Sequence, residues 1–165
     1  FLTKSLGVEL IEQCSTPLVV CATDLDNCCP VQWREGAIAE RVMASCSIPI
    51  VFQPVKIDGL NYVDGGVLHN LPAWAIRDDC DYLIGINCSP MVKKNTYKGT
   101  LLDVAQRSYM LMAKTNAIAD MHLCDLVIET KSIADMHVFN MHQKELVFRS
   151  GYKAARDAIK KAGLA

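Results

Sequence analysis

The tripeptide Asp64-Gly65-Gly66 has residue types that suit a catalytic base. It follows an apolar run at residues 60–63 that predicts a β-strand, so the carboxylate lies at the rim of a sheet. Two glycines beside it allow the backbone to approach another group closely. A general base needs a charged group that a rigid element holds in a cleft. Asp-Gly is also a common turn sequence, and the tripeptide alone favours a plain turn.

A second Asp-Gly pair changes that interpretation. Asp58-Gly59 separates two apolar runs, at residues 51–57 and 60–63, and this arrangement is a strong signal for a β-hairpin. The hairpin turn therefore belongs to Asp58-Gly59, and Asp64 is left at the far end of the second strand. We take Asp64 as the candidate base, with Gly65 and Gly66 as its backbone neighbours.

A serine nucleophile is not visible in the sequence. The G-x-S-x-G elbow, which exposes a serine between a strand and a helix, does not occur. Ser45 and Ser47 stand near a predicted helix end instead, without that frame. We predict that this chain holds no nucleophile.

Metal and nucleotide chemistry lack their usual sequence signals. His122 with Cys124, and His137 with His142, do not have the paired spacing of metal ligands. The sequence also has no G-x-G-x-x-G after a strand and no P-loop. We predict no metal site and no cofactor.

Length and composition indicate one α/β domain spanning residues 1–165. The chain is 51% hydrophobic and 21% charged, with a net charge of -1, so it offers no basic face for nucleic acid. No apolar stretch approaches the ~18 residues of a membrane helix. The eight cysteines lie mostly in apolar runs, without the spacing of a disulfide framework. We expect a cytoplasmic protein whose membrane contact, if any, is peripheral.

Apolar periodicity and turn residues divide the chain into alternating elements. Strands are predicted at residues 18–22, 31–34, 51–57, 60–63, 81–87 and 125–129. Helices are predicted at residues 3–14, 36–45, 70–78, 101–123 and 151–162. This alternation predicts a three-layer sandwich, with a largely parallel sheet flanked by helices.

Several motifs in order along the chain resemble the patatin-like phospholipases. They are Val19-Val20-Cys21-Ala22-Thr23-Asp24-Leu25, Arg34-Glu35-Gly36, Ala44-Ser45-Cys46-Ser47-Ile48-Pro49, Tyr62-Val63-Asp64-Gly65-Gly66-Val67 with Asn70-Leu71-Pro72, and Gly151-Tyr152-Lys153-Ala154-Ala155. The resemblance is to the C-terminal half of that domain, and it covers nearly the whole chain.

The resemblance implies a lipid acyl hydrolase of the phospholipase A or esterase type that works with a Ser-Asp dyad. In that family an elbow serine attacks the ester, the aspartate of D-G-G/A is its base, and a glycine-rich loop supplies oxyanion donors. Only the aspartate carries over here, as Asp64. The serine elbow and the loop are expected upstream of Phe1. His69 departs from the small polar residue of the family and is interpreted as a surface substitution.

Two other hypotheses stay open. One is a Ser-His-Asp hydrolase with an upstream serine and His122, His137 or His142 as base. The other is a scaffold or regulatory protein that kept the fold and lost catalysis. In every case the expected partners are a lipid or ester substrate and, through an exposed sheet edge, the N-terminal half of the same domain or a second copy.

Overall fold

The computed structural model describes residues 4, 7–88, 99–130 and 141–164. In these ranges the strands are β1 (Val20–Asp24), β2 (Cys29–Trp33), β3 (Val55–Ile57), β4 (Leu60–Asp64), β5 (Ile84–Asn87) and β6 (Leu126–Glu129). The α-helices are α1 (Ile38–Ser45), α2 (Leu101–Met121) and α3 (Lys144–Lys161). This mixture of helices with parallel and antiparallel strands confirms the α/β class.

The strands form two sheets, and their directions differ from the prediction of a largely parallel sheet. In the four-stranded sheet, of order β2-β1-β4-β3, all neighbours are antiparallel. Among the described strands, only β5 and β6 pair in parallel. The reason is connection length, because parallel neighbours need a crossover of a dozen or more residues. Helix α2 provides such a crossover between β5 and β6, whereas short turns join β1 to β2 and β3 to β4.

The predicted hairpin turn between β3 and β4 is confirmed. Asp58 and Gly59 have φ angles of 50° and 89°, and Ile57 pairs with Leu60. Positive φ at both central residues is the geometry that matches the twist of a two-residue hairpin. The turn therefore fixes the register of β4 and, with it, the place where Asp64 ends the strand.

Helix α1 packs on one face of the four-stranded sheet and forms its core. Ala44 of α1 is fully buried against Ala22, Ile57 and Tyr62. Because paired residues of antiparallel strands share a face, Asp64, which pairs with Ala22, projects on this same side. The apolar core thus ends at a carboxylate.

The helix predicted at residues 70–78 is wrong in type. The segment forms two short 3₁₀ turns instead, Ala73–Ala75 and Arg77–Asp79. Side chains from elsewhere take the backbone groups that an α-helix would have paired. The N–H of Trp74 donates to Asp120, and the carbonyl of Ala75 accepts from Arg34. These distant partners outweigh the local helix signal.

Candidate active site

Asp64 is the last residue of β4 and begins the turn that follows it. Its N–H donates to the carbonyl of Ser47 at 3.0 Å, which fixes the backbone at the strand end. Its Oδ1 accepts a hydrogen bond from the N–H of Gly66 at 2.7 Å. Among the described residues, this N–H is the one group that donates a hydrogen bond to the carboxylate. The side chain is thus held in place, and Oδ2 has no hydrogen-bond donor among the residues that the structure describes.

The two glycines after Asp64 are required by close approach. A Cβ at Gly65 would lie 3.1 Å from the carbonyl oxygen of Cys21. A Cβ at Gly66 would lie 2.8 Å from Oδ1 of Asn70 and 3.0 Å from Oδ1 of Asp64. These distances are shorter than ordinary van der Waals contact. The prediction that these glycines let the backbone approach another group agrees with this geometry.

A cavity of about 310 Å³ lies beside the carboxylate. Its wall is formed by Val19, Val20, Cys21, Val42, Ser45, Asp64, Gly65, Gly66, His69, Asn70 and Pro72. Most of these residues come from β1, α1 and the segment that follows β4. The volume is at the small end of the range of ligand sites and is large enough for part of an acyl chain or an ester head.

Burial raises the pKa of Asp64 above its ordinary value, and the hydrogen bond from Gly66 opposes that rise. The charge of Asp64 also contributes to the pKa shifts of two nearby side chains. Burial, with a contribution from Asp64, raises the pKa of Tyr109 to about 12 and also raises that of the Cys46 thiol. A carboxylate with a raised pKa holds a proton more strongly than an exposed one, which is what a general base requires.

His69 lines the same cavity and is bound to a second, buried carboxylate. Its Nδ1 lies 2.7 Å from Oδ2 of Asp120, a residue of α2 that is 2% exposed. The other oxygen of Asp120 accepts the N–H of Trp74 at 3.1 Å. Because His69 lines the cavity and is bonded to a buried carboxylate, the interpretation as a surface substitution is wrong.

Helix α2 carries Asp120 to the side chain of His69. Asn116, one turn before Asp120, donates to the carbonyl of Val67 at 2.6 Å and so attaches the helix to the turn after Asp64. Tyr109 stands on the same helix. The sequence analysis did not single out any of these three residues, because polar positions seven and four residues apart in a long helix give no functional signal.

Other nucleophiles near Asp64 are poorly suited to the role. Burial raises the pKa of Cys21 to about 11, so its thiol stays protonated at neutral pH and is a weak nucleophile. The hydroxyl of Ser47 is buried and donates to the carbonyl of Met43 at 2.7 Å. Ser45 lines the cavity from the last turn of α1, a helical setting without the exposed elbow.

Two of the three histidines proposed for a Ser-His-Asp arrangement do not line the cavity. His122 is exposed and caps the end of α2, and His142 is exposed before α3. His137 lies outside the described residues. The described ranges also contain no cluster of three or more His, Cys, Asp and Glu side chains that could hold a metal ion. Among the described histidines, His69 is the one that reaches the cavity.

Residues 1–76 match the family model described as Patatin-like phospholipase. This confirms the predicted resemblance. The patatin-like segment contains β1 to β4, α1, Asp64 and His69. It ends before β5, so the likeness of residues 151–155 to the last helix of the family stays a prediction, and Asp120 lies beyond the match.

Curated relatives agree with this result over a similar length. The chain is 37% identical over 67 residues to uncharacterised NTE family proteins of Mycobacterium tuberculosis and Mycobacterium bovis, which is 41% of this chain and 19% of each relative. It is 35% identical over 66 residues to the uncharacterised protein YqhO of Bacillus subtilis, or 37% of this chain and 23% of that protein. The matches thus span about a fifth of the relatives' length.

Proposed function

We propose that the complete protein is a lipid acyl hydrolase in which Asp64 is the base of a Ser-Asp dyad. The observation that carries the proposal is the state of Asp64, a strand-end carboxylate beside a cavity, with one hydrogen-bond donor in the described chain and a pKa raised by burial. The patatin-like match over residues 1–76 supports hydrolysis of a lipid ester as the reaction class.

The chemistry follows from the carboxylate and a serine supplied from outside this chain. A serine hydroxyl becomes a strong nucleophile only when a base accepts its proton. Asp64 would take that proton on Oδ2 while the serine oxygen attacks the ester carbonyl. The same proton then goes to the departing alcohol, and the acyl group remains on the serine. Without an imidazole in this step, catalysis depends more on positioning and on oxyanion donors.

Labelling of the complete protein tests this proposal. A serine-directed fluorophosphonate should modify one serine in a G-x-S-x-G sequence upstream of Phe1, and mapping the labelled peptide identifies it. Peptide mapping that finds the label on Ser45, or no label in a protein that hydrolyses 4-nitrophenyl esters, would contradict the dyad.

We also propose that the remainder of the domain covers β5. Ile84 and Ile86 are exposed on this strand, whereas the alternating residues Gly85 and Asn87 are buried against the rest of the chain. One face of the strand is therefore apolar and open. In the complete protein, Ile86→Glu should lower the unfolding temperature, while an unchanged temperature would show that this face stays in water.

The loop that follows α1 is our candidate for contact with lipid. Ile50, Val51 and Phe52 follow α1 closely and are all exposed. Ile50 has a φ angle of 74°, which is unfavourable for a β-branched residue and holds the loop in an unusual shape. No helix in the described part of the chain has the length and apolar character needed to cross a bilayer. The fraction of protein that sediments with phosphatidylcholine vesicles should fall in the Phe52→Ser variant, and an unchanged fraction would contradict lipid contact by this loop.

A further inference from the structure

The cavity beside Asp64 contains a second proton-transfer unit that the dyad does not use. His69 and Asp64 line the same wall, five residues apart, and the backbone N–H of His69 donates to the carbonyl of Gly65 at 2.8 Å. The position of the histidine is therefore tied to the turn that carries the base. This unit has no part in the acylation step described above.

Asp120 determines which nitrogen of the imidazole can react. Its Oδ2 lies 2.7 Å from Nδ1, and a carboxylate oxygen only accepts hydrogen bonds, so Nδ1 carries the hydrogen. In the neutral ring Nε2 then holds a lone pair and can accept a proton. Asp120 is itself fixed, because Trp74 donates to its other oxygen. This is the arrangement of a histidine base with a carboxylate that orients it.

We propose that His69, oriented by Asp120, is the base that activates water for hydrolysis of the acyl-enzyme. The proposal rests on the dyad function, which leaves the acyl group on the upstream serine. Nε2 takes a proton from water as the water oxygen bonds to the acyl carbon. The bond from that carbon to the serine oxygen then breaks, and the serine regains its proton from Nε2. The products are the free carboxylic acid and the original serine.

The assignment of the two steps to two bases has a physical reason. Covalent catalysis splits ester hydrolysis into two steps, and each step needs its own proton transfer. The His69 side chain is 33% exposed and so meets water, which is the nucleophile of the second step. Asp64 and His69 both line the cavity, and the imidazole is bonded to the buried carboxylate of Asp120.

Burst kinetics of the complete protein with 4-nitrophenyl butyrate test the inference. His69→Gln should release nitrophenol in a burst equal to the enzyme concentration and then turn over about 10²-fold more slowly than the parent, the scale of a lost general base. Mass spectrometry should detect the trapped butyryl-enzyme. Asp120→Asn should act in the same direction, because an amide can hold the ring in the wrong tautomer.

The controls separate this inference from the dyad and from unfolding. His122→Gln changes an exposed histidine at the end of α2, the helix that carries Asp120. This variant should alter neither the burst nor the slow turnover. Imidazole added to His69→Gly should restore part of the slow phase, which a purely structural role for His69 would not allow. Asp64→Asn should abolish the burst itself, and a burst that survives that change contradicts the dyad whatever His69 does.

Two results would overturn the role of His69. Unchanged turnover in His69→Gln would show that another group activates the water. Slow turnover without a burst or a trapped acyl-enzyme would place the histidine in acylation, as the base of the serine.

Discussion

Asp24 and Asp64 end β1 and β4, two strands that pair antiparallel, and they hold their charges in different ways. Asp24 accepts three hydrogen bonds, from the backbones of Asp26 and Asn27 and from the side chain of Asn27. These bonds lower its pKa, that of the Asn27 side chain most strongly. Asp64 accepts one in the described chain, from Gly66, and burial raises its pKa.

The contrast shows how a strand-end aspartate becomes a base and not simply part of a turn. Both residues are followed by a tight turn, and both are bonded to its backbone. The carboxylate of Asp24 is satisfied by its turn, so its proton affinity is low. The turn after Asp64 has two glycines, Gly65 and Gly66, and no side chain that can donate to it, so the second oxygen stays available in the described chain.

The largest effect is expected at Asp64. In the complete protein, Asp64→Asn should lower kcat/KM for 4-nitrophenyl esters by ~10²–10⁴-fold, because the amide keeps the size of the carboxylate but cannot accept the serine proton. Thermal unfolding should show no loss of stability, since the amide oxygen can still accept from Gly66. If the Asp64→Asn variant retained its rate, Asp64 would be another turn residue like Asp24.

Gly66→Ala should give the next largest effect on activity. The added methyl group would lie 3.0 Å from Oδ1 of Asp64 and 2.8 Å from Oδ1 of Asn70, so both side chains must move. A displacement near 1 Å in a catalytic group can lower the rate by about 10²-fold. Gly59→Ala is a control for the loss of glycine, because nothing lies within 4 Å of its added carbon. The Gly59→Ala control should be less stable, because a φ of 89° is unfavourable for alanine, and it should keep its kcat. Equal losses of kcat in the two variants would argue against the close-approach explanation.

Asp24→Asn reverses the pattern expected at Asp64. The amide keeps one acceptor oxygen and replaces the other with a donor, so it cannot serve all three donors, and the unfolding temperature should fall. The turnover of the folded variant should stay within about threefold of the parent. A tenfold change in rate corresponds to about 1.4 kcal/mol of activation free energy, and the expected change is smaller than that. A loss of turnover as large as that of Asp64→Asn would show that the two aspartates act together.

The smallest effect is a difference in how stability depends on pH. Because the folded-state pKa of Asp64 is raised, its contribution to stability is full at acid pH and is lost as the pH rises through that pKa. Asp64→Asn should therefore equal or exceed the parent at neutral pH, and the advantage should vanish in acid. Asp24 has a lowered pKa, so its contribution is present at neutral pH and is lost as the pH falls. Denaturation curves of the two variants, measured from neutral pH into acid, should show opposite trends.

The place of Asp64 follows from local sequence. The Asp58-Gly59 turn fixes the register of β4, and the strand-end position of the carboxylate follows from a two-residue loop and five residues of strand. Such features depend on neighbours in the chain, so periodicity and turn chemistry predict them. The α/β class was predictable for the same reason.

The directions of the strands, and the pairing of His69 with Asp120, depend on tertiary packing. Asp120 and His69 are 51 residues apart, and no local pattern links a helix position to a turn position at that distance. The 3₁₀ turns after Asp64 likewise depend on Asp120 of α2 and on Arg34 after β2, whose contacts replaced the expected helix. Contacts between distant segments are set by how elements pack, and a single sequence carries no direct signal for that packing.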